Sequence, residues 1–245
     1  MVDLALEQAY RERLTAALPG VRDAIAEAAA GVGRDPASVR LVAVSKGHPV
    51  EAAAAALEVG LTDLGENRVE ELEAKLAQLG RRARWHLIGH LQSRKAARAL
   101  AAADLIHSVD SLKLAERISR LAGELGREAI PVLLQVNVSG EDTKGGFERS
   151  SAHESLLEVV DLPRLDVRGL MTMAPFTDDE RVQREAFAGL QELLQELRRQ
   201  RPNVGGELSM GMTNDLRAAV AEGSTMVRIG TALFGERETA GGPDA

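Results

Sequence analysis

The sequence predicts an α/β fold, a single (β/α)8 TIM-type barrel with an extra helix at its N-terminus. Three observations predict it. From residue 40 onward, short runs rich in Val, Ile and Leu alternate with stretches of helical apolar spacing. Polar and glycine-rich residues gather just after those runs, as they do where the strand ends of a barrel share one face. At 245 residues the chain is long enough for one such barrel or for two smaller domains, and no shift of composition marks a boundary between two.

Residues 3–30 carry helical spacing on a charge-rich background, with a candidate break at Pro19–Gly20. After "GRDPASV", strands are expected over 40–45, 62–65, 85–89, 105–108, 131–138, 166–171, 206–209 and 225–229. Helices fill 49–59, 67–79, 92–102, 111–126, 150–161, 178–199 and 213–222. Gly60 and Gly223 stop two of these helices, and Asp110–Ser111 starts another. The run at 62–65, "TDLG", has the weakest strand pattern and is included because the alternation needs it. An open doubly wound sheet is the alternative arrangement of the same elements. The whole chain, 1–245, reads as one domain: a helical segment at 3–30, a barrel over about 40–235 and a frayed tail at 237–245.

Composition narrows the function classes. Apolar residues at 44% and charged residues at 27% suit a soluble globular protein. Thirty basic against thirty-seven acidic side chains leave a charge of -7, and aromatics are only 2%, so a nucleic-acid surface is not expected. There is no cysteine, which excludes disulfides, thiolate metal sites and thiol nucleophiles and fits a cytoplasmic protein. The opening "MVDLALEQAYRERL" is no signal peptide, and no run is long enough to span a membrane. The histidines and acids show no standard metal-ligand spacing, and neither a P-loop nor a "GxSxG" elbow is present.

The strand ends hold the unusual chemistry. "SMGM" offers the Ser209 hydroxyl and a flexible backbone at Gly211, and "RIGTALFG" offers the Gly230 and Thr231 amides at the start of a helix-like turn. Such groups suit a phosphate, although the glycines could equally serve tight turns alone. Arg228, inside "MVRIG", needs a partner if buried: a glutamate or carbonyl within the barrel, or a polar atom of a bound ring. Lys46 ends the run "RLVAVSK" and would extend over the barrel mouth. Desolvation and nearby cations make such an amine nucleophilic toward an aldehyde, so pyridoxal 5'-phosphate or a sugar phosphate would fit. An ion pair with Glu66 is the simpler explanation of the same lysine. Asn67 either lies near the ligand or caps the next helix. His86, on the opposite strand face from Trp85, is either a packed, hydrogen-bonded residue or an acid–base group. Asn137, Ser139 and Lys144 line the mouth or belong to a solvated loop, and Met171 and Met173 form a ring wall or part of the core.

Together these stretches closely resemble the pyridoxal 5'-phosphate homeostasis proteins, the YggS/PROSC family. The matches are "LVAVSKGHP", "LGENRVEE", "WHLIGHLQSRK", "VLLQVNVSGEDTKGG", "VRGLMTMAPF" and "LSMGMTNDLRAAVAEGSTMVRIGTALFG", over about residues 40–235. The resemblance implies a barrel similar to the N-terminal domain of alanine racemase. It implies that Lys46 forms an aldimine with pyridoxal 5'-phosphate. Ser209, Gly230 and Thr231 would hold the phosphate, Arg228 would face the pyridine nitrogen and Asn67 would lie close to the cofactor. Two departures stand out: Gly47 where many relatives carry Thr, and Arg94 where many carry Asn.

The implied function is to hold the cofactor and contribute to intracellular vitamin B6 and amino-acid homeostasis, with apo-forms of cofactor-dependent enzymes as partners. The alternative is an amino-acid racemase, which needs a base on each face of the substrate carbon. The sole tyrosine, Tyr10, sits in the N-terminal helical segment, and about ten residues follow "RIGTALFG". A non-catalytic carrier, monomeric and free of metal, is therefore expected, with His86 or His90 the nearest substitutes for a second base.

Overall fold

Eight parallel strands close on themselves. In the computed structural model, which describes residues 3–138, 145–149 and 151–236, the first five are β1 (Arg40–Val44), β2 (Asp63–Glu66), β3 (Arg84–Leu87), β4 (Leu105–Val109) and β5 (Ile130–Asn137). A two-residue strand, β6 (Phe147–Glu148), pairs with the end of β5 outside the ring. β7 (Leu165–Met171), β8 (Glu207–Ser209) and β9 (Met226–Ile229) complete it. β4 pairs with β5, β5 with β7, and β9 returns to β1, so the open-sheet alternative is excluded. Closure leaves the ring with no free edge.

The helices are α1 (Leu4–Ala30), α2 (Val50–Glu58), α3 (Val69–Leu79), α4 (Ala96–Ala102), α5 (Leu112–Glu124), α6 (Ala152–Val160), α7 (Glu180–Gln200), α8 (Leu216–Ala221) and α9 (Thr231–Phe234). The expected elements are all found, including the weak strand at 62–65, displaced by one residue as β2. The segment expected as one helix at 92–102 opens with a separate 3-10 turn, Ser93–Lys95, and the helix expected from 213 begins only at Leu216.

The candidate break in the N-terminal segment does not occur: α1 runs unbroken through Pro19. Proline removes one helix donor and costs about 3 kcal/mol in a helix interior. Packing outweighs it. Leu14, Leu18, Val21, Ile25 and Ala29 form a buried stripe, and α1 lies against α2, α8 and α9, while Pro19 and Gly20 face solvent. The Asp3 carboxylate caps the first turn, accepting from the Ala5 and Leu6 amides at 3.0 and 3.2 Å.

Two layers of side chains follow from strand alternation. Leu64, Trp85, Leu87, Ile106 and Leu134 point outward into the main core under the helices. Val42, Leu105, Leu133, Met171 and Met226 form a separate apolar cluster. Beside that cluster runs a set of buried polar groups that hydrogen-bond one another across the strands, and these bear directly on the site.

Candidate functional site

Lys46 lies two residues past the end of β1, after Ser45. The carbonyl of Ser45 accepts from the His48 amide at 3.1 Å, closing a turn in which Gly47 has φ +72°. That left-handed conformation favours glycine and accounts for Gly47 at this position. The Gly47 amide donates to Glu71 Oε2 at 2.9 Å, which ties the turn to α3. Behind it, the Tyr10 hydroxyl meets His48 Nδ1 at 3.0 Å and the Phe234 ring lies 5.5 Å from the His48 ring. The tyrosine therefore braces the turn from α1 and does not line the cavity that Lys46 faces.

That cavity has a volume of about 440 Å³ and collects Lys46, Arg228, Gly230 and Thr231, with Ile88, Pro175, Phe176 and Met212 as apolar lining. Gly230 follows the last residue of β9 and lies close against β1: a Cβ there would stand 3.3 Å from the Val44 carbonyl oxygen. The close approach sets the Gly230–Thr231 turn two residues along from the strand end that bears Lys46. Thr231 opens α9, where the Leu233 and Phe234 amides donate to the Gly230 carbonyl at 2.9 Å and those of Thr231 and Ala232 precede the first of these bonds.

Arg228 is buried and spans the barrel interior. Its Nη1 donates to the Ser209 carbonyl and to Ser209 Oγ, both at 2.7 Å, and its Nη2 donates to the Thr172 carbonyl at 2.9 Å. Burial pushes the guanidinium down to about 10, opposed by the charge of Asp215, so it remains a cation at neutral pH. The carbonyl partners expected for a buried arginine are present, the Ser209 hydroxyl is an addition to them, and Arg228 also lines the cavity.

The expected competitor for Lys46 is engaged elsewhere. Glu66 Oε1 accepts from Lys75 Nζ at 2.6 Å and from Ser45 Oγ at 2.6 Å, and Lys75 also donates to the Ser45 carbonyl at 2.8 Å. Burial pushes the Glu66 carboxyl up against the pull of Lys75. Lys95, a second lysine within the matched stretches, pairs with Glu70 at 3.0 Å on the surface.

Two expected site residues stand back from the cavity. Ser209 is fully buried, its hydroxyl between Arg228 and His107 Nδ1 at 2.9 Å, and it does not line the space. Asn67 is not a lining residue either. Its backbone presses on Gly89, where a Cβ would meet the Asn67 carbonyl oxygen at 2.4 Å, and Arg68 takes the N-cap of α3 instead. Met171 belongs to the interior apolar cluster, and Asn137 ends β5 outside the lining. His90 is exposed and pairs with Asp110 at 2.9 Å. Ser139, Lys144 and the tail at 237–245 lie outside the described residues.

His86 is packed and hydrogen-bonded, as its alternation with Trp85 suggests. Its Nδ1 meets His107 Nε2 at 2.8 Å and its Nε2 meets Asp63 Oδ1 at 2.9 Å. Burial first, then the neighbouring His86, Arg228 and Arg40, holds the His107 imidazole well below its ordinary range, so it is neutral. Burial pushes the Asp63 carboxyl up, but His86, Arg40 and Arg84 together bring it below its usual value. The sequence reading missed His107, Asp63 and Lys75. The available signal was a polar side chain inside an otherwise apolar strand, as in "LIHSV", since a buried polar group requires a partner.

A second cavity, about 460 Å³, lies at the opposite end of the barrel beside α1 and contains none of the expected site residues. Among the described residues, no cluster of three or more His, Asp or Glu is placed to hold a metal, and no helix is long and apolar enough to cross a membrane.

Residues 22–238 match the family model of the alanine racemase N-terminal domain. A pyridoxal phosphate homeostasis protein of Pseudomonas aeruginosa is 45% identical over 216 residues, covering 87% of this chain and 91% of that protein. The structure of PipY from Synechococcus elongatus with PLP bound is 43% identical, with a TM-score of 0.77 over 86% of this chain and 100% of that one. Alanine racemase of Clostridium difficile, at 16% identity, shares the fold with a TM-score of 0.71, over 89% of this chain and 60% of its own. The chain thus has relatives by both sequence and structure, and it belongs to the pyridoxal phosphate homeostasis protein family, built on the alanine racemase N-terminal domain fold.

Proposed function

We propose that this protein holds pyridoxal 5'-phosphate in the mouth cavity through Lys46 and serves vitamin B6 homeostasis as a carrier that turns over no substrate. One observation carries the reading: Lys46, Arg228 and the Gly230–Thr231 turn converge on a single cavity of about 440 Å³. That volume falls in the usual range for small-molecule sites. The residues fit the group. Bound there, the cofactor would supply an aldehyde carbon to which the Lys46 amine adds with loss of water. The Thr231 and Ala232 amides, ahead of the first hydrogen bonds of α9, suit its phosphate, Arg228 suits the ring nitrogen, and Ile88, Pro175, Phe176 and Met212 supply an apolar wall. Ser209 would act on the cofactor through Arg228, to which its hydroxyl is bonded. Asn67 would act from beside Gly89, next to the lining residue Ile88.

Holding is favoured over racemisation by two features. Among the described residues that line the cavity there is neither a tyrosine nor a histidine to serve as a second base. Arg228 stays a cation, and a cation at the ring nitrogen opposes its protonation and weakens the ring as an electron sink. The test is a titration with pyridoxal 5'-phosphate followed by visible absorbance. The wild type should develop an imine band that Lys46→Ala lacks. In deuterated water, single-enantiomer amino acids should show no catalytic inversion with deuterium uptake at the α-carbon. A Lys46→Ala band equal to that of the wild type would overturn the attachment, and sustained inversion would overturn the carrier role.

A further inference from the structure

The barrel interior contains a continuous hydrogen-bonded chain: Arg228 Nη1 to Ser209 Oγ at 2.7 Å, Ser209 Oγ to His107 Nδ1 at 2.9 Å, His107 Nε2 to His86 Nδ1 at 2.8 Å, and His86 Nε2 to Asp63 Oδ1 at 2.9 Å. Its ends lie far apart in the fold. Asp63 opens β2 and lines the cavity at the closed end of the barrel, and Arg228 lines the cavity at the mouth. If each ring carries a single proton, only one order of donors satisfies every link. A carboxylate accepts and does not donate, so His86 must carry its proton on Nε2. Its Nδ1 then accepts, which requires the proton of His107 on Nε2. The Nδ1 of His107 accepts in turn and takes the Ser209 hydroxyl proton. Ser209 oxygen is thereby left as the acceptor for Arg228.

We propose that His107 and His86, fixed by Asp63, are positioning residues for Arg228, and that the direction of this chain sets how Arg228 presents itself to a ligand in the mouth cavity. Reversing the chain would bring a His107 N–H onto Ser209, whose oxygen would then face two donors while its own proton had no acceptor in the chain. The Arg228–Ser209 bond would weaken, leaving the guanidinium held by the Ser209 and Thr172 carbonyls. Asp63 is also approached by Arg40 at 3.7 Å and by Arg84 at 3.8 Å, which keep it a carboxylate acceptor. The part of this inference that concerns the cofactor rests on the reading that Arg228 faces pyridoxal 5'-phosphate. The tautomers do not depend on it.

The first measurement uses the ligand-free wild-type protein. Two-dimensional ¹⁵N–¹H spectra of the imidazole rings, with the five histidines assigned by single substitution, should show both His86 and His107 protonated on Nε2 alone at neutral pH. A proton on Nδ1 of either ring would overturn the proposal. The second uses Asp63→Asn, which keeps the shape but offers an N–H, as replacing the terminal carboxylate of a Ser-His-Asp triad reverses its histidine tautomer. Both rings should switch to Nδ1–H, and the dissociation constant for pyridoxal 5'-phosphate should rise about fivefold, the worth of one neutral hydrogen bond. Unchanged rings or unchanged affinity in a folded Asp63→Asn protein would overturn the coupling. Should that variant fail to fold, the wild-type spectra still decide the order of donors. Failure of the wild type to bind the cofactor would instead sink the proposed function, with the tautomers read separately on the ligand-free protein.

Discussion

At φ +72°, Gly47 turns the chain immediately after Lys46 and hands its amide to Glu71. A β-branched residue at that angle is a steric outlier, so a threonine at this point would not sit in this backbone without strain. Gly47→Thr should lower unfolding free energy by about 1–2 kcal/mol, measured by urea denaturation. An unchanged midpoint would mean that the turn relaxes freely and that the angle does not explain the glycine. Lys46 itself was legible from sequence because a lysine ending an apolar run is out of place on physical grounds. The role of its neighbour was not, since a positive φ leaves no mark beyond the glycine. Ser209 shows the same limit. Its position at the end of β8 was readable, but whether its hydroxyl faced the mouth or the interior depended on His107, on a strand three places away around the ring.

Among the elements, β1, β2 and α3 act together behind the lysine. Lys75, on α3, reaches between them to the Ser45 carbonyl and the buried Glu66 carboxylate. Both charges are almost wholly buried, and removing one partner of such a pair is more costly than the pair is worth. Lys75→Met should destabilise the protein by roughly 3 kcal/mol, and the double change with Glu66→Gln should recover part of that loss. A single variant as stable as the wild type would show that the pair does not order this end of the barrel. Periodicity located these elements well because their apolar residues face one core. It misplaced the break in α1, because the buried stripe from Leu14 to Ala29 outweighs the proline, and such tertiary packing has no local signature.

For the whole molecule, barrel closure does most of the functional work. It brings β9 beside β1, which sets Arg228 across from Val42 and the Gly230–Thr231 turn next to the Lys46 strand end. α1 and α9 then brace that end from outside through Tyr10, Phe234 and His48. The order of strands, and hence the company at the mouth, was readable from the alternation of elements. The polar chain through the interior was not, since it arises from side chains on β2, β3, β4, β8 and β9 that meet only when the ring closes. The central claim is that Lys46 is the residue that takes pyridoxal 5'-phosphate. It is tested most directly by borohydride reduction of the loaded protein followed by peptide mass mapping. The reduced pyridoxyl mass should fall on the peptide containing Lys46 and on no other lysine; finding it on Lys95 or Lys144, with Lys46 unmodified, would contradict the account.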